Sequence, residues 1–156
     1  MKIAHKIPTP ILQKIPVNYI GLPWYQRLWR YAKDPIVYTY VKDWKIELPN
    51  GDKLMVPKGE STDGASIPWF LRPFATSFGP LIRGACLHDF GYKHGYLLDW
   101  EGKKLVTNKG QKFFDDLFRD VVIWSTGLKW LAWWAWSGVR VFGWIAWNNH
   151  RDKQCI

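Results

Sequence analysis

The sequence is poor in cysteine, and this excludes two classes of small protein. Only Cys86 and Cys155 occur among 156 residues, too few for a fold held together by several disulfides. No cysteine pair or cysteine–histidine cluster has the spacing of a structural zinc site. We therefore expect free thiols and a reducing compartment.

The sequence also lacks an apolar run long enough to cross a membrane. Its most apolar stretch, residues 121–147, is interrupted by Lys129 and Arg140, whereas a spanning helix needs about 20 apolar residues. Prolines within residues 1–20 break up any apolar core of a secretory signal. We expect neither a spanning helix nor a cleaved signal.

Acidic residues are few, and tryptophan is in excess. Against 22 Lys and Arg stand 13 Asp and Glu, so the formal net charge is +9. The chain has 12 tryptophans, and seven of them lie between Trp124 and Trp147. Basic charge with clustered tryptophan suits a membrane surface, a nucleic acid or another protein as the partner. The apolar fraction of 47% suffices for a core and excludes global disorder.

The order of local patterns predicts an α+β fold in a single domain, 1–156. A small N-terminal antiparallel β-sheet with a hairpin comes first, and two or three packed helices follow. Within the hairpin, Asn50-Gly51 is a strong signal for a two-residue turn. The segments are a proline-punctuated arm with a short helix at Trp24–Lys33 (1–35), the hairpin (36–57), a turn-rich loop (58–79) and the helical part (80–149).

The helical part divides at glycine and at a capping residue. Apolar residues recur at helical spacing over residues 80–94, and Gly95 suits the position that ends a helix. Asn108 suits the N-cap of a second helix that runs to about Trp124. The last helix, over residues 128–149, is rich in tryptophan.

Chemistry-bearing residues concentrate on the first of these helices. His88 and Tyr92 are four residues apart and share a helical face, whereas Asp89 points about 100° away. If the second helix packs antiparallel, Asp115 or Asp116 reaches a ring nitrogen of His88. Such a carboxylate fixes the imidazole tautomer and stabilises imidazolium, as a general base requires. Asp89 is then free to bind a hard cation with loop carbonyls and water.

The helical sequence His-Asp-Phe-Gly-Tyr, with an aspartate from the next helix, resembles the active-site region of the phospholipase A2 superfamily. The short prokaryotic enzymes are the most similar, and the resemblance covers residues 84–120. It implies that His88 is the base that activates water and that Asp89 is a calcium ligand. It further implies that Tyr92 and Asp115 are the groups that hydrogen-bond the histidine.

This resemblance departs from the superfamily at the calcium loop. The cysteine- and glycine-rich loop is absent, as are the disulfides between the two helices. Calcium at Asp89 therefore needs other oxygen ligands, and the Ser61–Ser66 segment is the candidate source. Asp63 reads most simply as an Asx-turn residue, but Asp63 or Ser66 could instead lie beside His88 as a metal ligand or helix cap.

A longer set of motifs resembles a domain-of-unknown-function family of phages and prophages, number 1353. The resemblance covers residues 36–147 and implies a phage protein expressed in a bacterium. It places the protein in the host cytoplasm, at the inner membrane surface or in the virion, and it implies no activity. The motifs are Val56-Pro57, Thr62-Asp63-Gly64-Ala65-Ser66-Ile67-Pro68, His88-Asp89 with Tyr92, Asp115-Asp116-Leu117-Phe118 and Gly143-Trp144.

The tryptophan-rich helix carries two different faces. One is an ordinary core stripe, formed by Leu131, Trp134, Ala135, Gly138, Val139, Phe142, Ile145 and Ala146. The opposite face interleaves tryptophan with cations, and it consists of Lys129, Trp133, Trp136, Arg140, Trp144 and Trp147. This composition fits an anionic membrane surface or a phage or host protein equally well. Nucleic acid is disfavoured because no basic strip with stacking aromatics is present, and the oligomeric state stays open.

Two functions from different classes therefore remain. One is a phage-encoded, membrane-surface protein with a phospholipase A2-like site, in which His88 activates water, Asp115 orients His88 and calcium on Asp89 polarises an ester carbonyl. The other is a non-catalytic virion, assembly or host-interaction protein whose tryptophan face docks a protein. In that case the His-Asp residues merely hold two helices together. The resemblance at His88–Tyr92 favours the lipid ester hydrolase, and both functions stay open at this point.

Overall fold

A computed structural model describes residues 7–15, 21–26, 37–62, 79–105 and 109–154. Within these ranges, five strands precede the first long helix and two short strands lie between the first and second long helices, so the predicted α+β class is confirmed. The strands are β1 Leu12–Lys14, β2 Tyr38–Tyr40, β3 Trp44–Glu47, β4 Lys53–Val56, β5 Ser61–Thr62, β6 Leu97–Leu98 and β7 Lys104–Leu105; the long helices are α1 Ile82–His94, α2 Gln111–Thr126 and α3 Lys129–Gln154. Residues 24–26 are also helical, and the rest of the predicted Trp24–Lys33 helix lies outside the described ranges.

The strands form two antiparallel sheets, ordered β1-β2-β5 and β3-β4-β6-β7. The predicted hairpin is β3 with β4, and Ile46 lies opposite Leu54 in its register. Its loop has three residues, 49–51, instead of the predicted two. The Gly51 N–H donates to the Leu48 carbonyl, and Gly51 adopts a left-handed φ of 90°. This is the turn-plus-bulge geometry of three-residue hairpin loops, in which glycine occupies the left-handed position.

Glycines end the first two long helices, as predicted. Gly95 at the end of α1 and Gly127 at the end of α2 both take left-handed φ values, 74° and 72°. The predicted N-cap of α2 is wrong: the helix begins later, with Gly110 and not Asn108 at that position. The last helix extends beyond the predicted residue 149 and reaches Gln154.

The core has two parts that meet at α1. One part joins the sheets to α1 and α2, and it includes Tyr40, Trp44, Ile46, Val56, Leu87, Phe90, Leu97 and Phe114. The other part joins all three long helices, and it includes Leu81, Ala85, Phe118, Val122, Leu131, Ala132, Ala135 and Val139. Helix α1 is thus covered on both sides, and side chains on it are placed between sheet and helices.

Glycine allows α1 and α2 to approach closely. A Cβ atom at Gly91 would lie 2.2 Å from Cδ1 of Phe114, and one at Gly84 would lie 2.8 Å from the Phe118 carbonyl oxygen. Neither distance is compatible with a side chain larger than hydrogen. The two glycines therefore bring the residues of α1 within hydrogen-bonding distance of those on α2.

The predicted faces of α3 are partly wrong, because the helix is rotated about its axis. Trp134, Phe142 and Ile145, predicted to be buried, are between 40% and 52% exposed. Arg140, Trp136 and Trp147, predicted to face outward, are half-buried. The rotation follows from polar and aromatic contacts of these side chains with α1 and α2, and the apolar periodicity of α3 does not predict such contacts.

Two of these side chains show the pairing directly. The Trp136 indole donates to Asp116 at 2.9 Å. The Trp147 ring packs on Tyr92 and Phe114, with centroids 5.2 and 5.7 Å apart.

Within the described residues, no helix is sufficiently long and apolar to traverse a membrane.

Candidate functional site

A buried carboxylate connects the three long helices. Asp115 on α2 has no solvent exposure. Around it lie His88 and Tyr92 from α1 and Arg140 from α3, and we refer to these four residues as the Asp115 cluster. The fold brings them together because α1 is covered by α2 and α3 on the same side.

Both oxygens of Asp115 accept hydrogen bonds. Oδ1 accepts from the Tyr92 hydroxyl at 2.5 Å and contacts Nε2 of His88 at 2.9 Å. Oδ2 accepts from Nη1 of Arg140 at 2.9 Å. A buried charge is tolerated only where such partners compensate the lost water. Of the two carboxylates that the helical positions allow to reach His88, Asp115 makes the contact.

The tautomer of His88 follows from this contact. An ionised carboxylate only accepts hydrogen bonds, so Nε2 carries the proton in the neutral ring and Nδ1 holds the free lone pair. The ring is 5% exposed. It packs on Tyr92, with centroids 3.9 Å apart, and meets Phe118 edge-on.

Two carboxylates raise the pKa of His88. Burial by itself lowers that pKa, but the hydrogen bond to Asp115 and the negative charges of Asp89 and Asp115 outweigh burial and raise the pKa above its usual value of 6.5. Asp89 faces the free side of the ring, with Oδ1 3.7 Å from Nδ1. Imidazolium is thus stabilised from both edges, as a group that accepts a proton during a reaction requires.

Asp89 also joins the helix to the smaller sheet. Its Oδ2 accepts from the Thr62 hydroxyl on β5 at 2.5 Å. Among the residues that the structure describes, no three or more His, Cys, Asp or Glu side chains converge on a metal site. Asp63 and Ser66, the predicted loop contributors, lie outside the described residues. The calcium role of Asp89 stays a prediction.

The second aspartate of α2 has a different environment. Asp116 accepts from Lys112 and Trp136 at 2.5 and 2.9 Å and lies 3.5 Å from Arg119. Slight burial raises its pKa, but the hydrogen bonds from Lys112 and Trp136 and the nearby cations lower it overall. The helical positions left open whether Asp115 or Asp116 reaches His88, whereas the resemblance implied Asp115; in the structure the contact is made by Asp115.

Sequence reasoning missed the roles of Arg140 and Thr62. Arg140 was assigned to the outer face of α3, whereas its guanidinium binds Asp115. One signal was available: Arg140 is the only charged residue between Trp130 and Asn149. A single cation in an apolar helix that packs on a core commonly marks a buried partner. Thr62 begins the Thr-Asp-Gly-Ala-Ser-Ile-Pro motif, but the position of this motif in the sequence does not predict the hydrogen bond from Thr62 to Asp89.

The six residues of α3 predicted from the sequence to form one outward-facing surface do not all face outward. Lys129, Trp133 and Trp144 are exposed. The guanidinium of Arg119 lies over the Trp133 ring, 4.6 Å from its centroid. The other three residues of the predicted outer face, Trp136, Arg140 and Trp147, pack towards α1 and α2.

A family model described as "Protein of unknown function (DUF1353)" matches residues 38–139. The matched span contains His88, Asp89, Tyr92 and Asp115, and it ends one residue before Arg140. Comparison with curated proteins and with solved structures gave no match.

Proposed function

The chain belongs to the family of proteins of unknown function DUF1353, a description that assigns no activity, and from the geometry of the site we propose that it is a phage-encoded hydrolase of phospholipid esters. The observation that carries the proposal is the arrangement of His88: Nε2 lies 2.9 Å from buried Asp115, and Nδ1 is the nitrogen left to accept a proton. Phage origin, and location in the host cytoplasm, at the inner membrane surface or in the virion, belong to the same proposal and rest on motif resemblance.

The proposed reaction uses water as the nucleophile. Nδ1 of His88 removes a proton from water while the water oxygen forms a bond to the ester carbonyl carbon. When the resulting tetrahedral intermediate collapses, the bond from carbon to the alcohol oxygen breaks. Imidazolium returns its proton to that oxygen, which releases a fatty acid and a lysophospholipid. Asp115 stabilises the imidazolium between the two proton transfers.

Tyr92 and Arg140 act as positioning residues in this reaction. Both donate to Asp115, so they hold the carboxylate in the orientation that fixes the His88 ring. Arg140 also places a positive charge 2.9 Å from Oδ2 of the fully buried Asp115, which compensates the loss of water around that carboxylate. Neither residue needs to touch the substrate.

Calcium would polarise the ester carbonyl if bound at Asp89. A calcium ion takes about six to eight oxygen ligands, and the described residues present the Asp89 carboxylate, which already accepts from Thr62. These residues by themselves do not fit the ion. No step above uses it, and calcium dependence is measured as one arm of the experiment.

The test is fatty acid release from phosphatidylglycerol vesicles, measured with added calcium and with a chelator. We expect release by the wild-type protein and a loss of at least about a hundredfold in His88→Asn, because the base is removed. His94→Asn is the matched control: it removes a histidine of the same helix that pairs with Glu60 instead. Background release by the wild type, or equal release by His88→Asn, would contradict the proposal.

A second candidate function is non-catalytic, and the burial of the Asp115 cluster favours it. His88 is only 5% exposed, and the cluster ties α1, α2 and α3 together. In this alternative the protein is a virion, assembly or host-interaction component, and the cluster only stabilises the fold. It predicts that His88→Asn lowers the free energy of unfolding while no vesicle lipid is hydrolysed by either protein.

A further inference from the structure

Helix α3 presents an apolar surface to solvent, and Arg119 of α2 borders it at the Trp133 ring. Its members are each between 49% and 65% exposed, and we call them the α3 outer face: Trp130, Trp133, Val141, Trp144 and Ile145. At about 100° per residue these positions fall on one side of the helix. Three indoles and two aliphatic side chains on one strip form the kind of patch that usually marks a binding surface.

The charge around this face is of one sign. Residues 128–149 contain Lys129 and Arg140 and no aspartate or glutamate; Arg140 is paired with Asp115, so exposed Lys129 is the cation that this segment offers to a partner. The acidic residues nearest to it on α2 are already neutralised, because Asp116 pairs with Lys112 and Asp120 pairs with Arg119. The whole chain carries +9. A partner with negative charge is therefore complementary to the face.

We propose that the α3 outer face binds the surface of an anionic phospholipid bilayer, with α3 lying along the membrane plane. Tryptophan suits the headgroup region because its ring is apolar and its N–H is polar. Exposed lysine beside such rings binds lipid phosphate, and the resulting attraction combines an apolar and an electrostatic contribution. A second copy of the chain is disfavoured as the occupant, since two chains of net charge +9 repel each other.

The same helix contributes to the candidate site. Arg140 lies between Trp136 and Trp144 along α3 and binds Asp115. Attachment of the outer face to a bilayer would therefore hold the Asp115 cluster one helix away from the lipid surface. Binding needs no hydrolysis, so this inference is independent of the proposed reaction.

The experiment is co-sedimentation with vesicles of phosphatidylcholine alone and of phosphatidylcholine with phosphatidylglycerol in equal parts. The double variant Trp130→Ser with Trp144→Ser removes two exposed indoles. The control Trp24→Ser removes an exposed indole outside α3, 77% exposed. Thermal melting of each variant shows that the fold is retained.

We expect the wild type to bind the anionic vesicles more tightly than the neutral ones and to bind less tightly at high salt. The double variant should bind about tenfold more weakly, and Trp24→Ser and His88→Asn should bind as the wild type does. Equal binding by the double variant, absence of vesicle binding, or binding that ignores lipid charge would overturn the inference. So would a concentration-dependent dimer that the double variant abolishes, because a second copy would then be the occupant.

Discussion

Asp115 is the residue on which the site depends. A carboxylate without solvent exposure is costly unless donors surround it, and three side chains from two other helices contact its oxygens. The contact with His88 could be predicted from sequence, because residues four apart on one helix and an aspartate in an apolar periodic segment suggest it. For Arg140, its position as a lone cation in an apolar segment indicates a buried partner, but apolar periodicity does not show that this partner is Asp115.

Replacing Arg140 tests the compensation of this charge. Arg140→Leu should lower the free energy of unfolding by about 3 kcal/mol, since it leaves the buried carboxylate without its cation. Lys129→Leu, at an exposed position of the same helix, should change it by less than about 0.5 kcal/mol. Urea denaturation of both variants measures the difference, and equal stability of the two would show that the Arg140–Asp115 pair contributes nothing.

Helix α1 is the element that organises the molecule, because it is covered on both sides. Its boundaries could be predicted from apolar spacing and from Gly95. The role of Gly84 and Gly91 could not be predicted from the sequence. Glycine is required at these positions only because α2 packs against them, and the sequence does not show where α2 packs. The rotation of α3 was mispredicted for a related reason: its orientation is fixed by partners on α1 and α2, and those partners are distant in sequence.

Gly91→Ala tests the close approach of α1 and α2. The new methyl group would overlap the Phe114 ring, so we expect destabilisation of at least about 2 kcal/mol. Gly110→Ala is the control: it adds a methyl group to open space at a backbone φ of −74°, and its cost should stay below about 1 kcal/mol. Chemical denaturation reports both. A Gly91→Ala protein as stable as the control would mean that the helices do not pack this closely.

At the scale of the whole molecule, the sheets and helices are linked by a polar contact beside β5. Glu60 accepts from Lys93 and from Nε2 of His94 on α1. Burial raises the pKa of Glu60, but the hydrogen bonds and charges of His94 and Lys93 together lower it to about 2. The sequence predicts that strands come before the first long helix. It does not predict the contact of Glu60 with α1, because that contact forms only if the turn before β5 lies beside the end of α1.

The lowered pKa of Glu60 has a pH consequence with a defined sign. Its contribution to stability is present above a pH of about 4.5 and is lost as the pH falls towards 2, because the unfolded chain binds the proton more readily. Glu60→Gln should therefore show a smaller loss of stability over that interval than the wild type does. Glu47→Gln, on the exposed side of β3, should behave as the wild type. Thermal melting across this range measures the three curves, and identical curves for Glu60→Gln and wild type would refute the assignment.

The most direct test of the central claim, that His88 is a base oriented by Asp115, is the pH dependence of fatty acid release by the wild-type protein. A base acts in its neutral form, and the pKa of His88 lies above 6.5. The rate should therefore rise with pH through an apparent pKa above 6.5 and then level off. A rate that is independent of pH from about 5.5 to 9, or that falls as the pH rises through this interval, would contradict the account.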